Sequence, residues 1–338
     1  MTTAPVFIIA EAGVNHNGDL AMALELVDAA KESGADAVKF QSFKADRLVT
    51  RLAGKANYQK QSVPGEDSQY SMLKSLEMSE DNFRRIHAHC KHRGIEFLAS
   101  PFDRESATFL DAMAMRTFKI PSGEITNLPL LEHIAAYGKP VILSTGMCNL
   151  AEIELALLTL EAAGADEITI LHCVTEYPAP YDEINLSAMG TLAKAFGRVI
   201  GYSDHTAGLE IPIAAVAMGA RIIEKHFTLD TSLPGPDHAA SLPPADFRRM
   251  VQAIRNVEMA IGNGIKKPAS CEIANIGSVR KSIVAACTIP EGEAITSRHL
   301  TLKRPGSGLP PVYLEAVIGR RAQREISIDQ LIEWGDLS

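Results

Sequence analysis

From Pro5 to about Gly262 the chain alternates, eight times over, between a short apolar run and a longer amphipathic one. The short runs are Val6–Ala10, Ala37–Gln41, Glu96–Ala99, Thr117–Pro121, Pro140–Ser144, Glu167–His172, Val199–Tyr202 and Arg221–Glu224. They are rich in Val, Ile and Leu without strict alternation, as expected of strands covered on both faces. Strands of that kind, joined by helices, assemble into a parallel sheet. The intervening segments carry apolar residues at helical spacing, as in Leu20–Ser33 (Leu20, Ala23, Leu24, Leu26, Val27, Ala30) and Leu150–Ala163. Gly34, Gly94, Gly138, Gly164 and Gly219 each stand where a helix stops before the next strand. Eight such units predict an α/β fold, a closed (β/α)8 TIM barrel. The competing open, doubly wound sheet carries a glycine-rich phosphate loop after its first strand, and AEAGVNHNG lacks the GxGxxG spacing.

The barrel is expected to occupy residues 1–262. A polar linker over 263–278, with Gly264, Lys266, Lys267 and Pro268, leads to a small domain at 279–338. There Arg280–Cys287 reads as a strand, and Ser297–Leu300 as a short helix capped by Ser297. A unit of that size buries little apolar surface and is expected to pack on something else. One barrel connection is unusually long, from Ser42 to Asn82. It contains RLAGKANYQKQ and a VPGED turn, and loops of this length serve as lids or partner contacts.

A net charge of -8 argues against a nucleic-acid-binding or membrane-surface protein. No apolar run approaches the roughly 20 residues of a membrane helix, and MTTAPVFIIAEAG lacks the basic start of a signal peptide. The five scattered cysteines show no CxxC spacing and fit reduced thiols, so a cytoplasmic location is expected.

In a (β/α)8 barrel the active site is built at the carboxyl ends of the strands. In chain order those ends carry Glu11, Asn15 and His16; Lys39 and Gln41; Ser100; Lys119, Ser122 and Glu124; Ser144 and Thr145; His172, Thr175 and Tyr177; Ser203, Asp204 and His205; and Glu224, Lys225 and His226. A purely structural barrel would place aliphatic residues at most of these positions. Lys39, Lys119, Ser122, Ser144 and Ser203 form a basic, hydroxyl-rich cup suited to a phosphate oxyanion. Each lysine could instead be a buried ion-pair partner of Glu11, Glu124 or Glu224, or the Schiff-base lysine of an aldolase. His205 and His226, on adjacent strands, form an imidazole pair of the kind that binds a divalent cation; core histidines are the plainer reading. Asp237, in the turn LPGPDH, could serve a sugar hydroxyl or simply close the turn. Cys173 is expected to be a packing residue.

AEAGVNHNGD, VKFQSFKAD, SPFD, KIPSGEITN, STGM, LHCVTEYPAPYDEINL, GYSDHT, EKHFTLD, PGPDHAAS and KRPGSG occur here in one order. With these motifs the chain closely resembles the bacterial sialic acid synthases, including the related legionaminic acid synthases. The resemblance extends to the tail, which resembles an antifreeze-like (SAF) β-clip domain. It implies metal-dependent condensation of phosphoenolpyruvate with N-acetylmannosamine, or with 2,4-diacetamido-2,4,6-trideoxymannose. It implies phosphoenolpyruvate on Lys39, Ser100, Lys119, Ser122, Ser144 and Ser203, and a divalent metal, Mn2+ ahead of Mg2+ or Co2+, on His205 and His226. Glu11 or Glu124 would stabilise the cation at C2 and steer water to it. Gln41, Tyr177, Asp237 and Arg304 match sugar-contacting positions, Arg304 reaching into the barrel of a second copy in a domain-swapped homodimer. Two departures are recorded: Ser100 replaces a threonine of some relatives, and Thr175 an asparagine.

Overall fold

The computed structural model describes residues 4–56, 59–60 and 68–338. The VPGED turn and part of RLAGKANYQKQ lie outside the described residues. The chain divides into two compact units, Met1–Gly262 and Asn263–Ser338. Among the described residues no helix is long and apolar enough to cross a membrane.

In the first unit, β1 (Phe7–Gly13), β2 (Ala37–Ser42), β3 (Glu96–Pro101), β4 (Phe118–Ile120), β5 (Val141–Ser144), β6 (Ile168–His172), β7 (Val199–Asp204) and β8 (Ile222–His226) form one parallel sheet. Hydrogen-bonded neighbours run β3-β2-β1-β8-β7-β6-β5-β4, and β3 lies against β4 to close the ring. β1, β7 and β8 continue past the apolar runs that announce them. Their polar ends stay in the ladder because the side chains find partners on both faces, Glu11 and Glu224 with Lys39 inside the ring and Asp204 with Lys225 on the helix side.

The helices start and stop on local chemistry. Asp19, Ser79 and Asp103 cap Leu20–Glu32, Glu80–Arg93 and Arg104–Ala112 by accepting backbone N–H groups, and Asn149 with Glu152 makes a capping box for Leu150–Ala162. Gly94 ends its helix at φ 67°, a left-handed conformation that suits glycine.

Strand periodicity divides the side chains into two sets. One set, including Ile8, Val38, Phe97, Phe118, Leu143, Ile170, Tyr202 and Ile223, joins the helices in the main core. The other begins with an apolar floor inside the ring: Ile9, Ala37, Leu98, Ile142 and Leu171, with Phe7 and Ile222 against them. Two residues further along the strands stand Glu11, Lys39, Ser100, Ser144, Cys173 and Glu224, so the polar cup rests on that floor.

The second unit pairs β9 (Ser282–Ala285) with β10 (Leu300–Lys303) in antiparallel fashion over a core of Ile283, Ile289, Ile295, Val317, Ile326 and Ile332. The stretch expected as a linker, 263–278, carries most of a helix, Ser270–Val279. The Gly277 carbonyl accepts the Gly306 N–H, so this helix belongs to the second unit. The cap of the short turn Ser297–His299 is Thr296 and not Ser297, because His299 reaches back to the Thr296 N–H.

Candidate active site

A cavity of about 360 Å3 opens at the carboxyl ends of the barrel strands. Its lining includes Glu11, Lys39, Gln41, Ser100, Lys119, Ser122, Glu124, Ser144, Tyr177, Ser203, His205, His226 and Asp237. All the barrel residues to which the resemblance assigns a role therefore meet in one space.

Its base is an alternating array of charges. Lys39 Nζ lies 2.7 Å from Glu11 Oε2 and 3.6 Å from Glu224 Oε2, and Lys119 Nζ lies 3.4 Å from Glu224 Oε1. Strand register creates these pairs: Glu11 stands opposite Lys39, and Ser203 opposite Glu224. Ser203 donates to Glu224 Oε1 at 2.8 Å, Gln41 to Glu11 Oε1 at 3.1 Å, and Lys39 to Ser100 Oγ at 3.2 Å. All four charged side chains are buried. Burial pushes Glu224 up, but Lys119 and Lys39 outweigh it and hold the carboxyl at about 2. At Glu11 burial prevails over Lys39 and raises the pKa. Burial opposes the charge of Lys39, yet Glu11 and Glu224 raise its pKa; Lys119 is lowered, chiefly by burial. Two ammonium groups are thus kept dry and balanced by carboxylates, an arrangement that an anionic ligand can enter by taking over their hydrogen bonds.

The histidines stand side by side above the cup, ring centroids 5.3 Å apart, with the Tyr177 ring 4.3 Å from His205. His205 Nδ1 donates to the Val174 carbonyl at 2.6 Å, which leaves the lone pair on Nε2. His226 Nδ1 is buried without a hydrogen-bond partner among the described residues, 3.9 Å from Asp237 Oδ2. Burial lowers both imidazoles, and at His226 the neighbouring His205 and Lys39 lower it further, so both are neutral, the ligand form. Asp237 is lifted by burial, and then by Glu11, to about 7. Among the described residues no group of three or more His, Cys, Asp or Glu converges as metal ligands. The pair by itself supplies two imidazole donors, so a metal held there would take its remaining ligands from substrate or water.

Residues 26–266 match the NeuB family, and residues 280–338 match the SAF domain. The chain belongs to the NeuB family. It is 50% identical to the N,N'-diacetyllegionaminic acid synthase of Campylobacter jejuni, over 96% of this chain and 98% of that one. It is 48% identical to the enzyme of the same name from Legionella pneumophila, over 97% and 93%. The crystal structure of the N-acetylneuraminic acid synthetase of Leptospira borgpetersenii superposes with a TM-score of 0.71 at 36% identity, covering 80% of this chain and 90% of that one. This NeuB-family chain is an enzyme, a synthase of the sialic and legionaminic acid type.

Several strand-end residues turn away from the NeuB cavity. Lys225 bonds Asp204 Oδ2 and the Thr206 carbonyl on the helix side of the sheet, where the Tyr202 hydroxyl also donates to Asp204. His172 bonds the Ile184 carbonyl. Asn15 donates to the Phe227 carbonyl and to Ser241 Oγ, and Ser241 donates in turn to the Asp237 carbonyl, so Asn15 braces the Asp237 loop. Glu124 is half-buried at the rim, where Asn127 donates to it at 2.7 Å and burial raises its pKa. Arg304 lies in the second unit, exposed, just beyond β10.

Three contributors have a larger part than the sequence reading gives them. Glu224, expected in the strand-end set and as a possible lysine partner, sits at the centre of the cup; its position two residues after Ile222 is the available signal. Cys173, expected as packing, lines the cavity as the β6 member of the same layer. The long connection after β2 folds into Ala45–Leu48 and Gln69–Leu76 and supplies Leu48, Val49, Met72, Leu73 and Leu76 as an apolar wall. Nothing in its polar composition announces that wall.

Proposed function

We propose that this enzyme condenses phosphoenolpyruvate with the open-chain aldehyde of an N-acetylated mannosamine-type sugar and water, releasing a nonulosonate and phosphate. The observation that carries the reading is the buried Lys39–Glu11–Glu224–Lys119 array, ringed by the hydroxyls of Ser100, Ser122, Ser144 and Ser203. It is a site for a compact, highly charged anion. Phosphoenolpyruvate C3 attacks the aldehyde carbon, whose oxygen takes a proton, and C2 becomes an oxocarbenium ion. Water adds to C2 and loses a proton. The resulting tetrahedral phosphate collapses to the 2-keto product by breaking the C2–O bond. Glu11, in contact with Lys39, is the carboxylate next to the phosphate cup and so serves C2. Glu124, with its raised pKa, suits the proton delivered to the aldehyde oxygen. His205 and His226 would hold a divalent metal, Mn2+ ahead of Mg2+ or Co2+, which when bound supplies Lewis-acid polarisation of that carbonyl. Gln41, Tyr177 and Asp237 would contact the sugar. Arg304 of a second copy would complete the acceptor site in a domain-swapped homodimer, and the cytoplasm is the compartment that supplies phosphoenolpyruvate.

N-acetylmannosamine and 2,4-diacetamido-2,4,6-trideoxymannose both fit this chemistry. The wall of Leu48, Val49, Met72, Leu73 and Leu76 favours the second. A C6 methyl and an extra acetamido methyl gain from apolar contact with it, whereas a C6 hydroxyl there is left to Gln59 and Gln69, which also line the cavity. The two relatives at 48% and 50% identity support the same reading. Phosphate release with phosphoenolpyruvate, Mn2+ and each sugar tests it. A kcat/KM at least roughly tenfold higher for the diacetamido sugar is expected. Equal or faster turnover of N-acetylmannosamine overturns the finer assignment. A borohydride-trapped adduct on Lys119 or Lys39, without phosphate release, overturns the class.

A Cβ at Gly146 would stand 2.3 Å from Thr175 Oγ1 and 3.0 Å from Ser122 Oγ. Gly146→Ala is therefore expected to displace Thr175, crowd Ser122 and raise the KM for phosphoenolpyruvate about tenfold or more. Steady-state kinetics checks this; an unchanged KM refutes it.

A further inference from the structure

We propose that Cys173 is a positioning residue that commits the Ser122 hydroxyl to donate to the anionic substrate; this rests on the phosphoenolpyruvate reading above. Two observations lead to it. Cys173 follows Leu171 of the apolar floor by two residues, as Ser100 follows Leu98 and Ser144 follows Ile142, so it occupies a cup position on β6. Its Sγ lies 3.2 Å from Ser122 Oγ, in a contact where either atom can donate.

The other partner of Ser122 resolves that choice. Ser122 Oγ accepts the Gly146 N–H at 2.8 Å. A hydroxyl has one hydrogen and two lone pairs. If Ser122 donates to Cys173, its hydrogen is spent, and it meets an incoming oxyanion with its remaining lone pair, which repels. If the Cys173 thiol donates to Ser122, both lone pairs are occupied and the hydrogen is free for the anion. An anionic ligand selects the second arrangement, and the thiol makes it available. Gly146 lets the three groups converge: the Cβ it lacks would stand 3.0 Å from Ser122 Oγ and 3.1 Å from Cys173 Sγ. Beside them Ser144 Oγ is buried without a partner among the described residues, another donor left for the ligand.

The alternative is packing, in which a buried cysteine behaves as a small hydrophobe. The two roles order the substitutions oppositely. Packing makes Cys173→Ala the mild change and Cys173→Ser the harmful one. Positioning makes Cys173→Ala harmful, and Cys173→Ser, which keeps a donor, the rescuing variant. Calorimetric binding of phosphoenolpyruvate to the full chain, with the KM for each substrate, tests this. Cys173→Ala leaves the Ser122 hydrogen free but removes the thiol that holds its oxygen and strengthens its donation, so phosphoenolpyruvate binding is expected to weaken about two- to threefold, with the sugar KM changing much less. Cys173→Ser is expected to recover most of that loss. Cys173→Ala added to Ser122→Ala should bring little further loss, because the thiol acts through Ser122. If Cys173→Ala does not fold, Cys173→Val takes its place. Binding by the alanine or valine variant equal to or tighter than by the serine variant overturns the proposal, as does full additivity with Ser122→Ala. Wild-type protein that fails to bind phosphoenolpyruvate overturns instead the reading on which it rests.

Discussion

His226→Ala is expected to lower kcat/KM by about 100- to 1,000-fold, the cost of removing one preorganised electrostatic group from a dry site. The imidazole is buried and neutral, and its Nδ1 has no hydrogen-bond partner among the described residues, so that atom is left for a ligand. His205→Ala should behave alike, although it also frees the Val174 carbonyl from its hydrogen bond. Phosphate release measures the loss. Mn2+ titration followed by calorimetry reads the proposed metal directly and should show no saturable site in either variant. Turnover within tenfold of wild type, with Mn2+ binding retained, would remove both histidines from the metal assignment. Chelator treatment of the wild type should abolish activity, with Mn2+ restoring it.

The second large effect is on stability. Lys225→Met leaves the buried Asp204 carboxyl without its cation, and that is expected to cost about 3–5 kcal/mol. For a unit of this size the loss lowers Tm by about 6–20 °C. The pair is fully buried behind β7 and β8, with Asp204 also accepting from Tyr202, the Thr206 N–H and the Thr206 hydroxyl. Lys225→Met combined with Asp204→Asn should regain part of the loss, since the orphaned carboxyl is then gone. A scanning calorimeter decides the matter; a Tm within 2 °C of wild type for the single variant would show that the pair contributes little. The same pair anchors the strand ends that carry His205 and His226, so the single variant should lose activity beyond what its unfolding accounts for.

Both effects illustrate where sequence reading reaches and where it stops. His205 and His226 were legible because the alternation of runs identifies strands, and the barrel rule then assigns their carboxyl ends to one mouth. Lys39, Lys119, Ser144 and Ser203 were legible for the same reason. Asp204 and Lys225 stood in the same strand-end set, yet period-two alternation turns them to the other face. Applying that alternation from the floor residues outward would also have singled out Glu224 and Cys173 in place of His172. The stretch expected to be a linker misled through its Gly, Lys and Pro content, although the cap that starts the helix over Ser270–Val279 was present in Glu272.

By itself the sequence determined the eight-unit barrel, the second small unit and the set of polar residues at the strand ends, because strand and helix periodicities, caps and glycine stops are short-range signals. Only the tertiary structure decided who pairs with whom. That Glu224 lies between Lys39 and Lys119, that Ser122 shares its hydroxyl with Gly146 and Cys173, and that helices from the long β2 connection wall the cavity with apolar side chains all depend on register and packing between segments far apart in the chain. Local patterns carry no such information, since these contacts form only when the ring closes.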